Sequence, residues 1–422
     1  YDVLQSSDYT WQFPAVTSFD WTPYTLDLVV PADAKVLEVR LHVYARFTGT
    51  IYWDDVTISG PAGALRQRQR NTGRCVARLP SSMAVGALRM SADAKPLLSV
   101  RNLRTSFFQD EGTTRAVDGA SFELDEGKTL GIVGESGCGK SVTAQSILRI
   151  VDDPGRIEAG EILLTRPDGS VTDLVQLKRD SREMRAIRGG EIGLIFQEPM
   201  TSFSPVHTVG AQIIEAVRLH AAVSKHEARQ RGIEALRSVG IPKPERRIDE
   251  YSFELSGGLR QRAMIAVALS CSPRMLIADE PTTALDVTTQ AQILDLLRKI
   301  QQERQMAIML ITHNLGVVAE MADDVVVMYL GRVVEEGPVD AIFHDAKHPY
   351  TKALLQSIPS IDSAPRVKLP TITGSIPHPF NRPPGCPFHP RCTAFQPGRC
   401  DKDDPQLLDV GAGRKASCFL YQ

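Results

Sequence analysis

Nowhere do the 422 residues contain eighteen consecutive apolar positions; stretches such as "MAIMLI" are strand-sized. A membrane-spanning helix is therefore excluded, and any role at a membrane has to come through partners. Neither sign of charge dominates: 48 basic and 50 acidic side chains leave a net of −2. That balance lacks the basic footprint of a nucleic-acid binder, and no nucleic-acid partner is expected. Tryptophan is missing after position 53, and cysteine is scarce, with four of its seven copies in the last 37 residues. No secretory signal stretch is visible, and the chain opens on Tyr1 rather than Met, so its true start is expected upstream.

What is present falls into unlike segments. Trp11, Trp21 and Trp53 all lie early, and Leu37, Val39, Leu41 and Val43 alternate there with Glu38, Arg40 and His42. This period of two predicts half-buried strands. With "GTIYWDDV" at its end, the segment 1–62 resembles the last strands of a jelly-roll carbohydrate-binding module, roughly half of one. Residues 61–92 hold six arginines, no acids and no periodicity. They read as linker, assigned to 63–95. Met90 looks like a natural start, so 1–89 are expected to be a fusion or an upstream read-through.

From about Pro96 apolar strands alternate with helical patterns, which predicts an α/β fold on a parallel sheet. A short strand, 130–133, runs into Gly134-Glu135-Ser136-Gly137-Cys138-Gly139-Lys140-Ser141 and then a helix. This is the phosphate-loop pattern in its strand–loop–helix setting. Its backbone N–H groups and the helix N-terminus are expected to cradle ATP phosphates. Lys140 would reach the β- and γ-phosphates, and the Ser141 hydroxyl would ligate Mg²⁺. A second strand, "MLIADE", ends on Asp279, which would complete the Mg²⁺ shell, and Glu280, which would orient or deprotonate water. "FELSGGLRQR" places Ser256, Gly257 and Gly258 at the start of another helix, a second anion-binding terminus. One site does not need two such cradles, so this one is expected to serve the nucleotide of a facing subunit.

With these motifs in this order, residues 97–345 resemble the ATP-binding-cassette family. The resemblance implies further roles. Gln197 would sense Mg²⁺ and contact a membrane partner, Asp286 would lie in the loop that speaks across a dimer, and His313 would contact the γ-phosphate. Phe107 would stack on adenine, with Phe108 the neighbouring candidate. The implied fold is a nucleotide-binding domain over 96–345 with a parallel sheet core, an antiparallel β subdomain and a helical subdomain at about 198–272. The implied mechanism is head-to-tail closure of two cassettes on two ATP molecules, which drives membrane subunits. Within the helical subdomain, Ser224 and Glu227 read as a capping box.

"HPYTKALLQSIPS", "QEPMTSFSPVHTVG" and "IADEPTTALDVTTQAQILDLL" resemble the oligopeptide/dipeptide-importer branch of that family, which also includes nickel and oligosaccharide systems. Phe253 stands where many relatives carry His. The expected partners are a second cassette ATPase in a heterodimer, two permease subunits and an extracytoplasmic solute-binding protein. The expected place is the cytoplasmic face of a bacterial inner membrane. A cassette ATPase working away from transport is the other reading, though such proteins usually carry two cassettes or long insertions.

The last segment, 346–422, is a small extension holding Cys386, Cys392, Cys400 and Cys418. The same branch carries such a set, associated in some members with an iron–sulfur cluster. "PHPFNRPPGCPFHPRC" is too rich in Pro and Gly to be expected around an apolar core, so a metal staple is anticipated. Four thiolates suit a four-iron cluster, zinc is the alternative with His389 as a substitute ligand, and reduced structural thiols are the third reading. Cys138 and Cys271 are read as loop filler and helix-end core, and Cys75 as part of the linker.

Overall fold

The structure is a computed structural model that describes residues 95–198, 202–283, 285–358, 372–378 and 380–422, with the backbone of 4–6 and 9–11. The chain divides into two units, 1–90 and 91–422. In the first, β1 (Leu4–Ser6) and β2 (Tyr9–Trp11) form an antiparallel pair with Leu4 opposite Trp11. The alternating strands anticipated over 35–59, most of the segment likened to a jelly roll and the arginine-rich stretch 61–92 lie outside the described residues.

The second unit begins with an antiparallel sheet in the order β4-β3-β6-β7, from β3 (Leu98–Gln109), β4 (Gly112–Leu124), β6 (Gly155–Thr165) and β7 (Val171–Asp173). Beside it stands an eight-stranded mixed sheet. Its parallel centre consists of β11 (Asp324–Tyr329), β5 (Thr129–Val133), β10 (Ala307–Ile311), β9 (Met275–Asp279) and β8 (Ile192–Ile195), in that spatial order. Every residue of β5, β9 and β10 is buried. Their unbroken apolar sequences are what a strand covered on both faces requires.

Helix α1 (Lys140–Ile147) follows β5, and α2 (Arg182–Ile187) precedes β8. The helices α3 (Val209–His220), α4 (Lys225–Ser238), α5 (Pro244–Arg247) and α6 (Gly257–Leu269) come between β8 and β9. Ser224 caps α4, accepting from Glu227 N at 3.1 Å, but the return half of the expected capping box is replaced by a bond from Arg231 to the Glu227 carboxylate at 2.7 Å. Ile213, Val217, Ile233 and Leu236 then pack with α6 into one core. Helices α7 (Val287–Arg304), α8 (Leu315–Met321), α9 (Val339–Asp345) and α10 (Pro349–Gln356) complete the unit.

The extension corrects the expectation drawn from its Pro and Gly content. Its strands β13 (Leu408–Gly411) and β14 (Arg414–Ala416) join the large sheet through β12 (Arg332–Pro338), with Glu335 opposite Ala416. Phe388 and Phe419 are buried in a cluster with Val327, Tyr329, Val334 and Tyr350 of the cassette. The segment has too few apolar residues for a core of its own, so it borrows one. Each buried ring contributes roughly 1.5–3 kcal/mol.

Candidate functional site

The loop 134–141 leaves the buried end of β5 and enters α1, as its pattern predicts. Gly134 has φ +153°, and a Cβ there would lie 2.2 Å from Met328 O; at Gly139, φ +100°, it would lie 2.1 Å from Ala116 O. Only glycine fits so close to a neighbouring backbone. Lys140 is buried and curls back along the loop, donating to Gly134 O at 2.9 Å and Glu135 O at 3.2 Å. Two of the loop's N–H groups are engaged within the chain. Glu135 N donates to Tyr350 Oη at 2.9 Å, and Cys138 N to Glu135 O at 3.2 Å. Cys138 is buried, which pushes its thiol pKa up.

The two acids after β9 have opposite environments. Asp279 is buried, and that burial raises its pKa despite a hydrogen bond from Ser141; Glu280 adds to the rise and Lys140 opposes it. Its Oδ1 is buried without a hydrogen-bond partner. An orphaned carboxylate oxygen beside a serine hydroxyl at a helix N-terminus is a donor set that fits a hard cation such as Mg²⁺. Glu280 sits in the left-handed region at φ 47°, an uncommon conformation for a non-glycine residue. Burial pulls its pKa up, but hydrogen bonds with His313 and Thr283, with the charges of His313 and Lys140, hold it below the usual carboxylate range.

Three side chains from separate elements converge on Glu280. His313 Nδ1, just past β10, lies 3.1 Å from Oε1. Gln197 Nε2, just past β8, donates to Oε2 at 3.3 Å, and Thr283 Oγ1 donates to the same oxygen at 2.8 Å. Thr283 was not singled out in the sequence, although its position three residues after Glu280 in a turn carried the signal.

Other anticipated residues stand apart from this cluster. Ser256 and Gly257 are exposed at the start of α6, and a Cβ on Gly257 would meet nothing within 4 Å. Inside the chain α6 is tied to the acid pair through buried Gln261, whose Nε2 donates to Pro281 O. Asp286 caps α7, accepting from Thr289 N at 3.0 Å and Thr289 Oγ1 at 2.7 Å. Phe107 is half-buried, and a Cβ on Gly155 would come within 2.6 Å of its ring. Phe108 carries the Arg156 guanidinium over its face at 4.5 Å.

Two further residues reach the loop from the C-terminal side: Tyr350, noted above, and Arg391, whose guanidinium pairs with Glu135. Neither carried a role in the sequence reading, although Arg391 is a charge set between "HP" and Cys392. Nearby, Cys386, Cys392, Cys400 and Cys418, all free thiols, line with His348 one narrow recess whose cavity volume is about 10 Å³. Burial, then the neighbouring cysteines, push the Cys386 thiol up to about 11. Among the described residues no group of three or more His, Cys, Asp or Glu side chains forms a site for a metal ion. The anticipated cluster and its zinc alternative are therefore not shown, although the cysteines are brought together. His389 Nδ1 is engaged with Cys386 O at 2.9 Å.

A glycine loop feeding a helix, an acid pair at the next strand tip and a converging Gln and His define a nucleotide-hydrolysing cassette. Residues 117–283 match the family model described as ABC transporter, and 334–400 match the oligopeptide/dipeptide transporter C-terminal region. A putative peptide import ATP-binding protein of Brucella melitensis is 48% identical over 334 residues, 78% of this chain and 98% of that one. The oligopeptide transport ATP-binding protein AppD of Bacillus subtilis is 49% identical over 327 residues, 77% and 97% of the two chains. A dimeric ATP-binding cassette solved in a post-hydrolysis state with ADP and phosphate superimposes with TM-score 0.51 at 27% identity, covering 57% of this chain and 98% of that one. The chain belongs to the ABC transporter family, in its oligopeptide/dipeptide branch, and is an ABC-type ATPase.

Proposed function

We propose that this chain hydrolyses ATP to drive the uptake of small peptides through permease subunits of a bacterial inner membrane. It works from the cytoplasmic face, and an extracytoplasmic binding protein supplies the cargo. The observation that carries the reading is the convergence of Gln197 and His313 on Glu280, next to an Asp279 that shares a hydrogen bond with the phosphate-loop residue Ser141. Peptide cargo is favoured by the names of the relatives, and oligosaccharide or nickel remain the branch's other cargoes. Among the described residues no helix is long and apolar enough to cross a membrane, which supports attachment through permeases.

The placement of the residues supports the following roles. Lys140 leaves the loop carbonyls to meet the β- and γ-phosphates, and Phe107 lies along the adenine. Ser141, Asp279 and Gln197 would hold Mg²⁺, which neutralises developing phosphate charge when bound. Glu280, kept ionised by its hydrogen bonds, accepts a proton from the attacking water or orients it. His313 holds Glu280 in place and, as the resemblance implies, contacts the γ-phosphate. Ser256, Gly257, Gly258 and Asp286 face the nucleotide of a second cassette subunit, in a heterodimer. The exposed start of α6 supports that role, since its free N–H groups favour an anion.

We further propose that the four cysteines hold a four-iron cluster rather than zinc. What supports the reading is that all four thiols line one recess, and four cysteine thiolates are the usual ligand set of such a cluster.

Reconstitution with cognate permeases and binding protein tests the main reading. Peptide should accumulate in proteoliposomes only with ATP and an intact Glu280. Uptake that persists with Glu280→Gln would refute it.

A further inference from the structure

A carboxylate inside a phosphate-binding loop is electrostatically perverse. Glu135 stands one residue into 134–141, where its charge would repel a polyphosphate. The structure answers with a cation from far along the chain. Arg391 Nη1 lies 2.7 Å from Glu135 Oε2, and Nη2 lies 3.0 Å from Oε1, a parallel two-bond fork. The Arg391 side chain is 4% exposed and that of Glu135 22%.

The guanidinium is itself held on every side. Its Nε donates to Thr373 O at 3.2 Å, and Nη1 also donates to Tyr329 Oη at 3.2 Å. Arg391 closes a short turn, His389–Arg391, just after Phe388. The Phe388 ring packs 5.3 Å from both Tyr329 and Tyr350. Tyr350 in turn accepts the Glu135 N–H. One loop residue is thus gripped at its backbone by α10 and at its side chain by the cysteine-bearing segment.

We propose that Arg391 is a positioning residue for ATP binding, a clamp in the same chain that neutralises Glu135 and holds its carboxylate off the phosphates. The C-terminal extension thereby sets the nucleotide affinity of the loop. The inference rests on reading 134–141 as the ATP phosphate loop and goes beyond it. Arg391 touches no nucleotide; it acts through Glu135. Without it, the freed carboxylate would penalise ligands in order of their phosphate charge.

The test measures dissociation constants of the full chain for fluorescent ATP and ADP analogues with Mg²⁺, alongside circular dichroism to establish folding. Arg391→Ala should weaken ATP about tenfold, in the range of ordinary site-to-site couplings, and ADP less. Arg391→Lys should fall between, because it keeps the charge and loses the fork. The pair Arg391→Met with Glu135→Gln should restore affinity to near the wild-type value, since no uncompensated charge remains. A clamp that merely supported the fold would not discriminate ATP from ADP or be rescued by removing a second charge. Unchanged ATP affinity in a folded Arg391→Ala or Arg391→Lys chain would overturn the proposal. So would a double variant that binds no better than the single one. Lys140→Ala separates the two ideas: if it too binds ATP normally, the phosphate-loop reading itself has failed.

Discussion

His313 Nδ1 lies 3.1 Å from Glu280 Oε1, although the two residues follow different strands, β10 and β9. The pairing keeps the carboxylate ionised and aimed, and it sets the first expectation. Glu280→Gln should keep ATP affinity while lowering turnover by about 10²–10⁴-fold, the usual worth of a positioned acid–base group. Steady-state phosphate release, paired with nucleotide binding, checks this. Near-normal release would remove Glu280 from the chemistry.

Lys140→Ala is expected to act on affinity instead. Its buried ammonium donates to Gly134 O and Glu135 O within the loop. Calorimetric titration with Mg-ATP should show binding weakened by at least about tenfold, as loss of a charge-assisted contact of about 1.5–3 kcal/mol requires. Equal affinity would contradict its role.

Asp118 makes a separate prediction for stability. It is buried between Arg332, 3.0 Å away, and Arg382 of the extension, and so ties the antiparallel sheet to the tail. Burial raises its pKa, but Arg382, Arg332 and Arg104 together bring it below the usual value of 3.8. A depressed carboxylate pKa contributes stability that is present above 3.8 and lost as pH falls through the folded value. Asp118→Asn should therefore cost up to about 3 kcal/mol at neutral pH, mainly by stranding Arg382, since Arg332 keeps Asp404 at 2.8 Å. It should also flatten the acid limb of the stability curve. Urea unfolding from pH 7 down to pH 3 measures both, and a variant as stable as wild type would rule the bridge unimportant.

Anaerobic purification and metal analysis address the cysteine recess. About four irons with matching acid-labile sulfide per chain, and broad visible absorption, are expected from a Cys₄-held cluster. Stoichiometric zinc, or no metal at all, would make the recess a structural clasp and leave the ATPase assignment untouched.

The strand–loop–helix at 129–147, the acid pair and the start of α6 were all legible in the sequence. Each is a local arrangement whose backbone geometry is written in adjacent residues: glycines where φ is positive, apolar runs where both faces are covered, a capping serine before a helix. Legibility stopped where pairing became long-range. Gln197 and Glu280 are 83 residues apart, and Arg391 and Glu135 are 256 apart. What unites the first pair is the spatial order β5-β10-β9-β8, which differs from the chain order. The extension was misjudged for a related reason. Its Pro and Gly content correctly indicated that it has no core of its own, yet no period in its sequence could show that Phe388 and Phe419 complete someone else's. By itself the sequence determined the chemistry available at each strand end. Only the tertiary structure decided which of those ends meet, and that a distant arginine neutralises the acid in the phosphate loop, because apolar burial and strand pairing act across the chain rather than along it.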